Sequence, residues 1–314
     1  MYSYILKRIF ALIPILFIVS IVVFFIIHLT PGDPASFMLG EDATTEEVEK
    51  LQQEMGLDAP LYRQYIGWVI GALTGDLGFS YFMNEPVINL IGSHIIPTLE
   101  IALIGEIIAI IIGLILGIVS AKKQGSILDQ SIMGISLFGM AVPNFILGIL
   151  LLLFVGVQWG VLPIGGYQPF DAGFWNHFKY LILPAIALGV AQTALMARMT
   201  RSSMIEVLTS SYIKTARAKG VKERVITISH ALRNAFLPIL TIIGQSLGSL
   251  VAGAVVTETI FNIPGIGQLV INSVSSRDYT VIQGIVLIVA VSYVLINLLV
   301  DILYSVLDPR IYYD

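Results

Sequence analysis

Six apolar runs, each long enough to cross a lipid bilayer, recur along this chain of 314 residues. A helix rises 1.5 Å per residue, so about 20 residues cross the ~30 Å hydrocarbon core. Only 12% of the residues are charged, whereas soluble domains carry about 25%. The pattern predicts an all-α integral membrane protein with six transmembrane helices. The predicted spans are 9–29, 97–121, 131–157, 180–197, 236–257 and 281–303.

The first apolar run directly follows Lys7 and Arg8. It is too long for the apolar stretch of a secretory signal peptide, which covers roughly 7–15 residues, and no small-residue cleavage site follows it. We therefore predict an uncleaved first helix that begins in the cytoplasm. Pro14 is compatible with such a helix, because membrane helices tolerate proline.

The basic residues predict the orientation of the spans. With a cytoplasmic start, thirteen of the seventeen Lys and Arg residues fall on the inner side, and only Lys50, Arg63, Lys179 and Arg277 fall outside. Cytoplasmic loops of membrane proteins carry this excess of positive charge. Both termini are therefore predicted to be cytoplasmic. The thirteen inner residues are Lys7, Arg8, Lys122, Lys123, Arg198, Arg201, Lys214, Arg217, Lys219, Lys222, Arg224, Arg233 and Arg310.

A polar region at 30–96 separates the first two spans and is predicted to be extracytoplasmic. It opens with the turn signal TPGDPA. Thr44 and Glu47 have the spacing of a capping box, which predicts a short amphipathic helix. The aromatic stretch 65–73 is too short to cross the membrane and is predicted to lie on the outer surface. The predicted divisions are 1–29, 30–96, a five-helix core at 97–308 that includes a cytoplasmic loop at 199–236, and a tail at 309–314.

The stretch 198–238 between the fourth and fifth spans holds eight of the seventeen basic residues. Ser210 or Ser211 can cap a short helix, Ile213 and Ala216 share one side of it with Gly220, and Gly220 can end it in a left-handed conformation. A second helix is predicted at 222–236. The charges alone also fit a topology signal or contact with anionic lipid, at about 1 kcal/mol per charge. A short helix held between two spans is, in addition, suited to carrying force between proteins.

Within this stretch, YIKTARAKG followed by HALRNAFLP resembles the coupling motif of binding-protein-dependent ABC importer permeases. The Glu-Ala-Ala triplet of that family falls on Lys214, Thr215 and Ala216. Its glycine falls on Gly220, and its Leu-Pro falls on 237–238. The lysine in place of the acid and the long gap before the proline are typical of the peptide and nickel branch.

The resemblance covers nearly the whole chain. LKRIFALIPILFIVSIVVFFIIHLTPGDPA, GLDAPLYRQY, GDLGFS, IFNIPGIGQL, RDYTVIQGIVL and NLLVDILYSVLDPR are similar to the first, B-type permease of dipeptide and oligopeptide importers. It implies a type I ABC importer permease fold with an extracytoplasmic insertion between helices 1 and 2. It also implies a multi-pass location in a bacterial or archaeal cell membrane.

The same resemblance implies the partners and the chemistry. The expected partners are a homologous second permease subunit, two ATPase subunits, an extracytoplasmic substrate-binding protein, a peptide substrate and the lipid bilayer, with no nucleic acid. ATP and Mg would be bound by the ATPase subunits, and no cofactor is expected on this chain. The residues expected to couple to the ATPase are Lys214, Thr215, Ala216, Arg217, Ala218 and Gly220.

Polar side chains inside the predicted spans are candidates for the translocation pathway. Glu106 lies about 14 Å along the second helix from Pro97, where a buried acid costs at least about 2.5 kcal/mol. It fits a polar pathway wall and a helix contact equally well. Gln192 and Gln245 are further pathway candidates, although interhelical hydrogen bonds of about 0.6 kcal/mol explain amides more simply. Glu100 and Glu258 are expected to be hydrated near the outer surface.

The sequence carries no sign of catalysis. It contains no cysteine, and its four histidines show no metal-ligand spacing. The phosphate-binding G-x-x-x-x-G-K-[ST] pattern and the H-E-x-x-H and G-x-S-x-G patterns are also missing. We therefore predict that the chain is not an enzyme and that ATP hydrolysis takes place on partner subunits.

Two alternatives remain open. Nickel or nickel-chelate import is the nearer one, because permeases for both substrate groups resemble each other and the binding protein is expected to select the substrate. A secondary transporter or channel belongs to another class. It would predict inverted repeats and helices broken in the middle of the membrane, and no repeat is visible in the sequence.

Overall fold

The computed structural model describes residues 2–29, 35–36, 44–54 and 56–307. The predicted TPGDPA turn, the tail 309–314 and Arg310 lie outside the described residues. The chain divides into two compact units. Unit one comprises Pro97–Pro264 and the chain from Ile296 onward, and unit two comprises Tyr2–Ile96 and Gly265–Leu295.

Helices make up most of the described chain, with one two-stranded antiparallel hairpin. In chain order the elements are α1 (Tyr2–Leu29), α2 (Thr45–Glu54), α3 (Leu61–Thr74), β1 (Phe79–Ser80), β2 (Glu85–Pro86), α4 (Val87–Lys122), α5 (Ile127–Ala141), α6 (Asn144–Leu151) with a π-helical extension (Leu152–Gln158), a 3₁₀ turn (Phe170–Ala172), α7 (Phe174–Leu208), α8 (Ser211–Ala218), α9 (Glu223–Val225), a second π-helical segment (Ile226–Leu232), α10 (Arg233–Phe261), α11 (Ile266–Ser275) and α12 (Tyr279–Leu307).

Four described helices are long and apolar enough to cross a membrane, and the number rises to six if each of two bent pairs is one span. One pair is α5 with α6 and its extension, bent by 98°. The bend falls at Pro143, between α5 and α6. The other pair is the end of α10 with α11.

Several predicted boundaries are wrong. The fourth helix was expected to end at residue 197, but α7 continues to Leu208 and takes in Arg198 and Arg201. The segment after residue 257 was expected to be a loop, but α10 runs to Phe261 and α11 follows. Pro238 lies inside α10, since neighbouring membrane helices compensate for the hydrogen bond that a proline removes.

Close contact between α4 and α7 organises unit one. A Cβ atom on Gly113 would lie 2.6 Å from the Cβ of Met196, and one on Gly117 would lie 2.5 Å from the Cβ of Thr200. The two backbones can approach this closely only because these positions lack side chains. Buried side chains of α10, including Leu250 and Ala254, pack into the same core.

Unit two is built on a smaller apolar cluster. Leu77, Val87, Leu269 and Val281 are among its buried members. The predicted capping box of α2 is confirmed, because the backbone N–H of Thr44 donates to Glu47 at 2.9 Å and that of Glu47 donates to the Thr44 hydroxyl at 3.3 Å. The Thr44 backbone and hydroxyl bonds hold the pKa of Glu47 below its ordinary value.

Candidate functional site

The short helix α8 forms where the sequence predicts it. Its first residue follows Ser210, whose backbone is extended as expected for an N-cap. The hydroxyl of Ser210 donates to the carbonyl of Val207 at 2.6 Å instead of accepting a bond from α8. The serine therefore ties α8 to the end of α7, and it does not cap the helix through its side chain.

Gly220 ends α8 in the predicted left-handed conformation, with φ of +76°. The N–H of Gly220 donates to the carbonyl of Arg217 at 2.9 Å, and the N–H of Val221 donates to that of Ala216 at 3.2 Å. These two bonds constitute a Schellman motif, which satisfies carbonyls that a helix end leaves free. A Cβ atom on Gly220 would meet nothing within 4 Å, so the backbone angle alone favours glycine here.

One side of α8 is anchored and the other is open. Ile213 is fully buried in a cluster with Met204, Ile226 and Ala231, and Ala216 packs against this cluster. Gly220 was expected to share the buried side, but it is exposed because the chain turns away there. The remaining predicted coupling residues lie on the open surface: Lys214, Thr215, Arg217 and Ala218.

Polar contacts hold α8 against the chain that follows it. The hydroxyl of Tyr212 donates to the carbonyl of His230 at 3.2 Å, and the amide of Asn234 donates to Tyr212 at 2.6 Å. At the other end, the guanidinium of Arg217 donates to the carboxylate of Glu223 at 2.7 Å. This bond raises the pKa of Arg217, and both ends of α8 are thereby fixed.

An ion pair between α5 and α7 was missed by the sequence analysis. Arg201 binds Asp129 with two nitrogen atoms, at 2.6 and 2.8 Å. The hydroxyl of Ser120 and the backbone N–H of Gly125 also donate to Asp129. Arg201 was counted as part of a basic loop, and Asp129 was placed in a polar link between spans. Nothing in their positions along the chain, 72 residues apart, indicates that they meet.

Glu106 lies in a helix contact. Its side chain is 3% exposed, and one carboxylate oxygen accepts a hydrogen bond from Ser246 of α10 at 2.7 Å. The second oxygen has no hydrogen-bond partner among the described residues. Of the two arrangements left open by the sequence, the isolated chain therefore adopts the helix contact.

Gln192 and Gln245 lie on a different surface from Glu106. Gln192 of α7 donates to the hydroxyl of Ser249 of α10 at 2.8 Å, which is the interhelical bond expected for a membrane amide. Gln245 and Ser249 are both exposed. The three side chains therefore form a polar strip along the line where α7 and α10 meet, and we call Gln192, Gln245 and Ser249 the amide strip.

Of the two acidic residues expected to be hydrated, Glu258 is enclosed by protein, whereas the side chain of Glu100 is 26% exposed. Glu258 is completely buried and accepts a hydrogen bond from Thr98 at 2.6 Å, so the prediction for this residue is wrong. Glu100 accepts a hydrogen bond from Tyr167 at 3.0 Å and lies 3.5 Å from His177. Burial, with a smaller contribution from Glu100, raises the pKa of Tyr167 to about 12. Within the described part of the chain, no three His, Asp or Glu residues come together as a metal site.

Two family descriptions match the sequence. Residues 109–313 match "Binding-protein-dependent transport system inner membrane component", and residues 1–102 match the N-terminal part of the membrane component of such systems. The first match covers more than half of the chain. The chain belongs to this family. It is a multi-pass membrane permease component of an ABC-type importer, and the family is not one of catalytic enzymes.

Relatives of this permease are similar over their entire length. A probable peptide ABC transporter permease protein of Sinorhizobium fredii is 40% identical over 310 residues, which cover 99% of each chain. A glutathione transport system permease protein of Escherichia coli is 42% identical over 313 residues, which cover 100% of each chain.

Solved structures confirm the predicted type I importer permease fold. A chain of the MetNI methionine ABC transporter in an inward-facing conformation matches with a TM-score of 0.58 and 19% identity, over 70% of this permease and 96% of that chain. A chain of an amino acid ABC transporter matches with a TM-score of 0.51 and 17% identity, over 71% and 94% respectively. At this level of identity the likeness concerns the fold alone.

Proposed function

We propose that this permease subunit imports di- or oligopeptides in a complex with a second, homologous permease, two ATPase subunits and an extracytoplasmic substrate-binding protein. The names of its full-length relatives, one for peptides and one for glutathione, support this substrate class. ATP and Mg act on the ATPase subunits, and this chain contributes half of the pathway. Both termini are cytoplasmic and region 30–96 is extracytoplasmic.

The architecture of α8 carries the proposal. A helix of eight residues is too short to be stable alone in water, yet α8 is held by one buried isoleucine and by polar contacts at both ends. Its open side presents Lys214, Thr215, Arg217 and Ala218. A rigid, exposed helix of this kind can fit into a groove on an ATPase and follow its movement.

The amide strip is proposed to face the substrate. A side-chain amide that is exposed within a membrane-spanning helix is poorly suited to lipid, because such polar groups lack partners in hydrocarbon. Gln192 and Gln245 offer both donors and acceptors, which match the backbone of a peptide. Glu106 is proposed to lie beside the pathway and to support α10 through Ser246.

Transport by this arrangement requires a population shift. The closing of the ATPase pair must favour one conformation of the permease by binding it more tightly than the other. Because α8 is tied to α7 and to the segment that leads into α10, a displacement of α8 reaches both helices that carry the amide strip. This coupling is the proposed route from ATP to the pathway.

Site-specific cross-linking tests the proposal. Since the chain contains no cysteine, the variant Thr215→Cys carries a single thiol on the open side of α8. We expect it to cross-link to an ATPase subunit in the assembled complex, with a yield that changes when ATP binds. Uptake of a labelled dipeptide into proteoliposomes is measured in parallel.

The control for this experiment is Thr74→Cys, an equally small change at an exposed position of α3. It is expected to give no ATPase cross-link and to leave uptake unchanged. Efficient ATP-dependent uptake without any cross-link from Thr215→Cys would contradict the role of α8. Uptake by the purified chain alone, without ATP, would contradict the proposed function as a whole.

A further inference from the structure

Helix α3 packs beside the apolar part of α1. Ring centroids of Tyr65 and Trp68 lie 5.3 and 6.1 Å from that of Phe24, and the hydroxyls of Tyr65 and Ser20 are 2.8 Å apart. Helix α3 therefore lies beside a section of α1 that is itself apolar.

A second face of α3 is apolar and uncovered in the described chain. Tyr62, Ile66, Ile70 and Leu73 are 61%, 53%, 57% and 83% exposed. Steps of four and three residues align them in one stripe along the helix. Beside the apolar section of α1, this stripe is suited to contact lipid acyl chains.

A third face of α3 borders a cavity. Gly67 and Gly71 line a space of about 460 Å³, whose walls also include Arg63, Trp68 and Asp76. All residues that line it belong to unit two. A cavity of this size falls in the range of binding sites for small molecules or headgroups.

The walls of the cavity carry one positive and one negative charge. Arg63 stands on α3 two turns before Gly71, and the backbone N–H of Asp76 donates to the carbonyl of Gly71 at 2.8 Å. The backbones of Arg63 and Asp76 are therefore separated by about 12 Å along the helix, and the guanidinium of Arg63 lies 5.9 Å from the ring centroid of Tyr62. One oxygen of Asp76 accepts a bond from the N–H of Gly78 at 2.9 Å, which fixes the carboxylate in the wall.

We propose that this cavity binds the headgroup of a zwitterionic phospholipid of the phosphatidylethanolamine type. The phosphate pairs with the guanidinium of Arg63, and the ammonium pairs with the carboxylate of Asp76. The acyl chains lie on the exposed stripe of α3. This occupant matches the opposite charges of the walls and the apolar face beside them, whereas an anionic headgroup would leave Asp76 without a counter-charge. The site is independent of α8 and of the amide strip.

Native mass spectrometry tests this site directly. The full chain is purified from membranes in a mild detergent, together with any subunits that stay bound. It is then titrated with phosphatidylethanolamine or phosphatidylglycerol carrying identical acyl chains. We expect saturable binding of phosphatidylethanolamine at one site, about tenfold tighter than phosphatidylglycerol, because one additional charge-assisted hydrogen bond distinguishes the two headgroups.

A cavity-filling variant provides the sharpest comparison. A Cβ atom on Gly67 meets nothing within 4 Å, so Gly67→Leu fills the cavity without a backbone clash and is expected to abolish the saturable binding. The matched control is Gly92→Leu in α4. Gly92 is also a helical glycine with nothing within 4 Å of an added Cβ, and it does not line the cavity. The control is expected to bind lipid as the wild type does.

Charge variants separate the two ends of the headgroup. Arg63→Gln is expected to weaken the binding of both lipids about tenfold, because it removes the charged partner of the phosphate. Asp76→Asn keeps an oxygen that can accept the bond from Gly78, so the turn persists and the preference for phosphatidylethanolamine is expected to disappear. If Gly67→Leu proves unstable, this loss of preference decides the question.

Three outcomes would overturn the proposal. Equal, non-saturable retention of both lipids by the wild type would indicate ordinary solvation by detergent and lipid. Unchanged binding by Gly67→Leu would place the lipid elsewhere. Displacement of the bound lipid by an equal concentration of dipeptide or inorganic phosphate would identify a site for a soluble solute instead of a lipid.

Discussion

Two kinds of contact hold unit one together, one between its membrane helices and one between side chains with polar groups. Where α4 crosses α7, glycines bring the helices so close that backbone and side chain leave no space for a methyl group. Elsewhere in unit one, explicit polar bonds join the elements: Asp129 with Arg201 between α5 and α7, and Arg217 with Glu223 and Tyr212 with Asn234 around α8. Inside the membrane a polar group without a partner is costly, so shape provides the fit. Near water, polar bonds can form. They fix the orientation of α8, which is too short to be stable as an isolated helix.

The largest expected effect is on the glycine contact. In Gly117→Ala the new methyl would lie 2.7 Å from the backbone oxygen of Ala197, which cannot move aside as a side chain can. We expect a loss of about 2–3 kcal/mol in stability, the upper part of the range for overpacking. The control Gly134→Ala adds the same methyl where nothing lies within 4 Å, and it should stabilise helix α5 by up to about 1 kcal/mol. Thermal unfolding of the purified variants measures both changes in stability. Equal changes in the two variants would show that the contact between α4 and α7 is no more sensitive to a methyl group than the open position in α5.

The next effect concerns the ion pair between α5 and α7. Arg201→Met leaves the carboxylate of Asp129, whose side chain is 3% exposed, without its charged partner. We expect the melting temperature to fall by about 5 °C. The double variant Asp129→Asn, Arg201→Met should recover part of this loss, because no unpaired charge remains. A double variant no more stable than Arg201→Met would show that the pair does not act as a unit.

A smaller effect on stability, but a specific one on transport, is expected at Gly220. Valine there must adopt a left-handed conformation at a cost of about 1–2 kcal/mol, which should displace the end of α8 and reduce ATP-dependent uptake. Gly75→Val is the matched control. Gly75 also ends its helix, with φ of +88° and nothing within 4 Å of an added Cβ. If the two variants melt at similar temperatures and only Gly75→Val shows normal uptake, the transport defect is assigned to α8. Normal uptake by both variants would contradict a role of the α8 end in transport.

The smallest effect is expected for Glu106→Gln. The amide keeps an oxygen for the bond from Ser246, whose hydroxyl also donates to the carbonyl of Ile243 at 2.9 Å. The free energy of unfolding should change by less than about 1 kcal/mol, which is a smaller change than that expected for Arg201→Met. Uptake of cationic and neutral peptides measures any role in the pathway. Unchanged uptake of both would restrict Glu106 to the helix contact.

Local sequence signals predicted local structure well. The capping box at Thr44 and the left-handed Gly220 both appear as expected, because each depends on residues within one turn. The short helix α8 was likewise predicted from its own pattern. Helix lengths were predicted less well: α7 extends beyond its apolar run to Leu208, since polar residues such as Arg201 find partners on other elements.

Long-range partners could not be read from the sequence. Glu258 was expected to be hydrated because it lies near a predicted membrane boundary, yet Thr98 and the surrounding protein enclose it. Helices broken in the middle of the membrane were expected for a secondary transporter. The bend at Pro143 occurs in an importer permease, so a bent span alone does not separate the two classes.

The sequence by itself determined that the chain enters a membrane, which segments are apolar enough to cross it, and where a short basic helix interrupts them. These properties depend on transfer of side chains between water and lipid, which each segment undergoes independently of the others. Only the tertiary structure decided which polar side chains meet, which glycines allow contact, and where a cavity remains beside α3. Those outcomes depend on distances between residues far apart in the chain, and such distances exist only once the helices have packed.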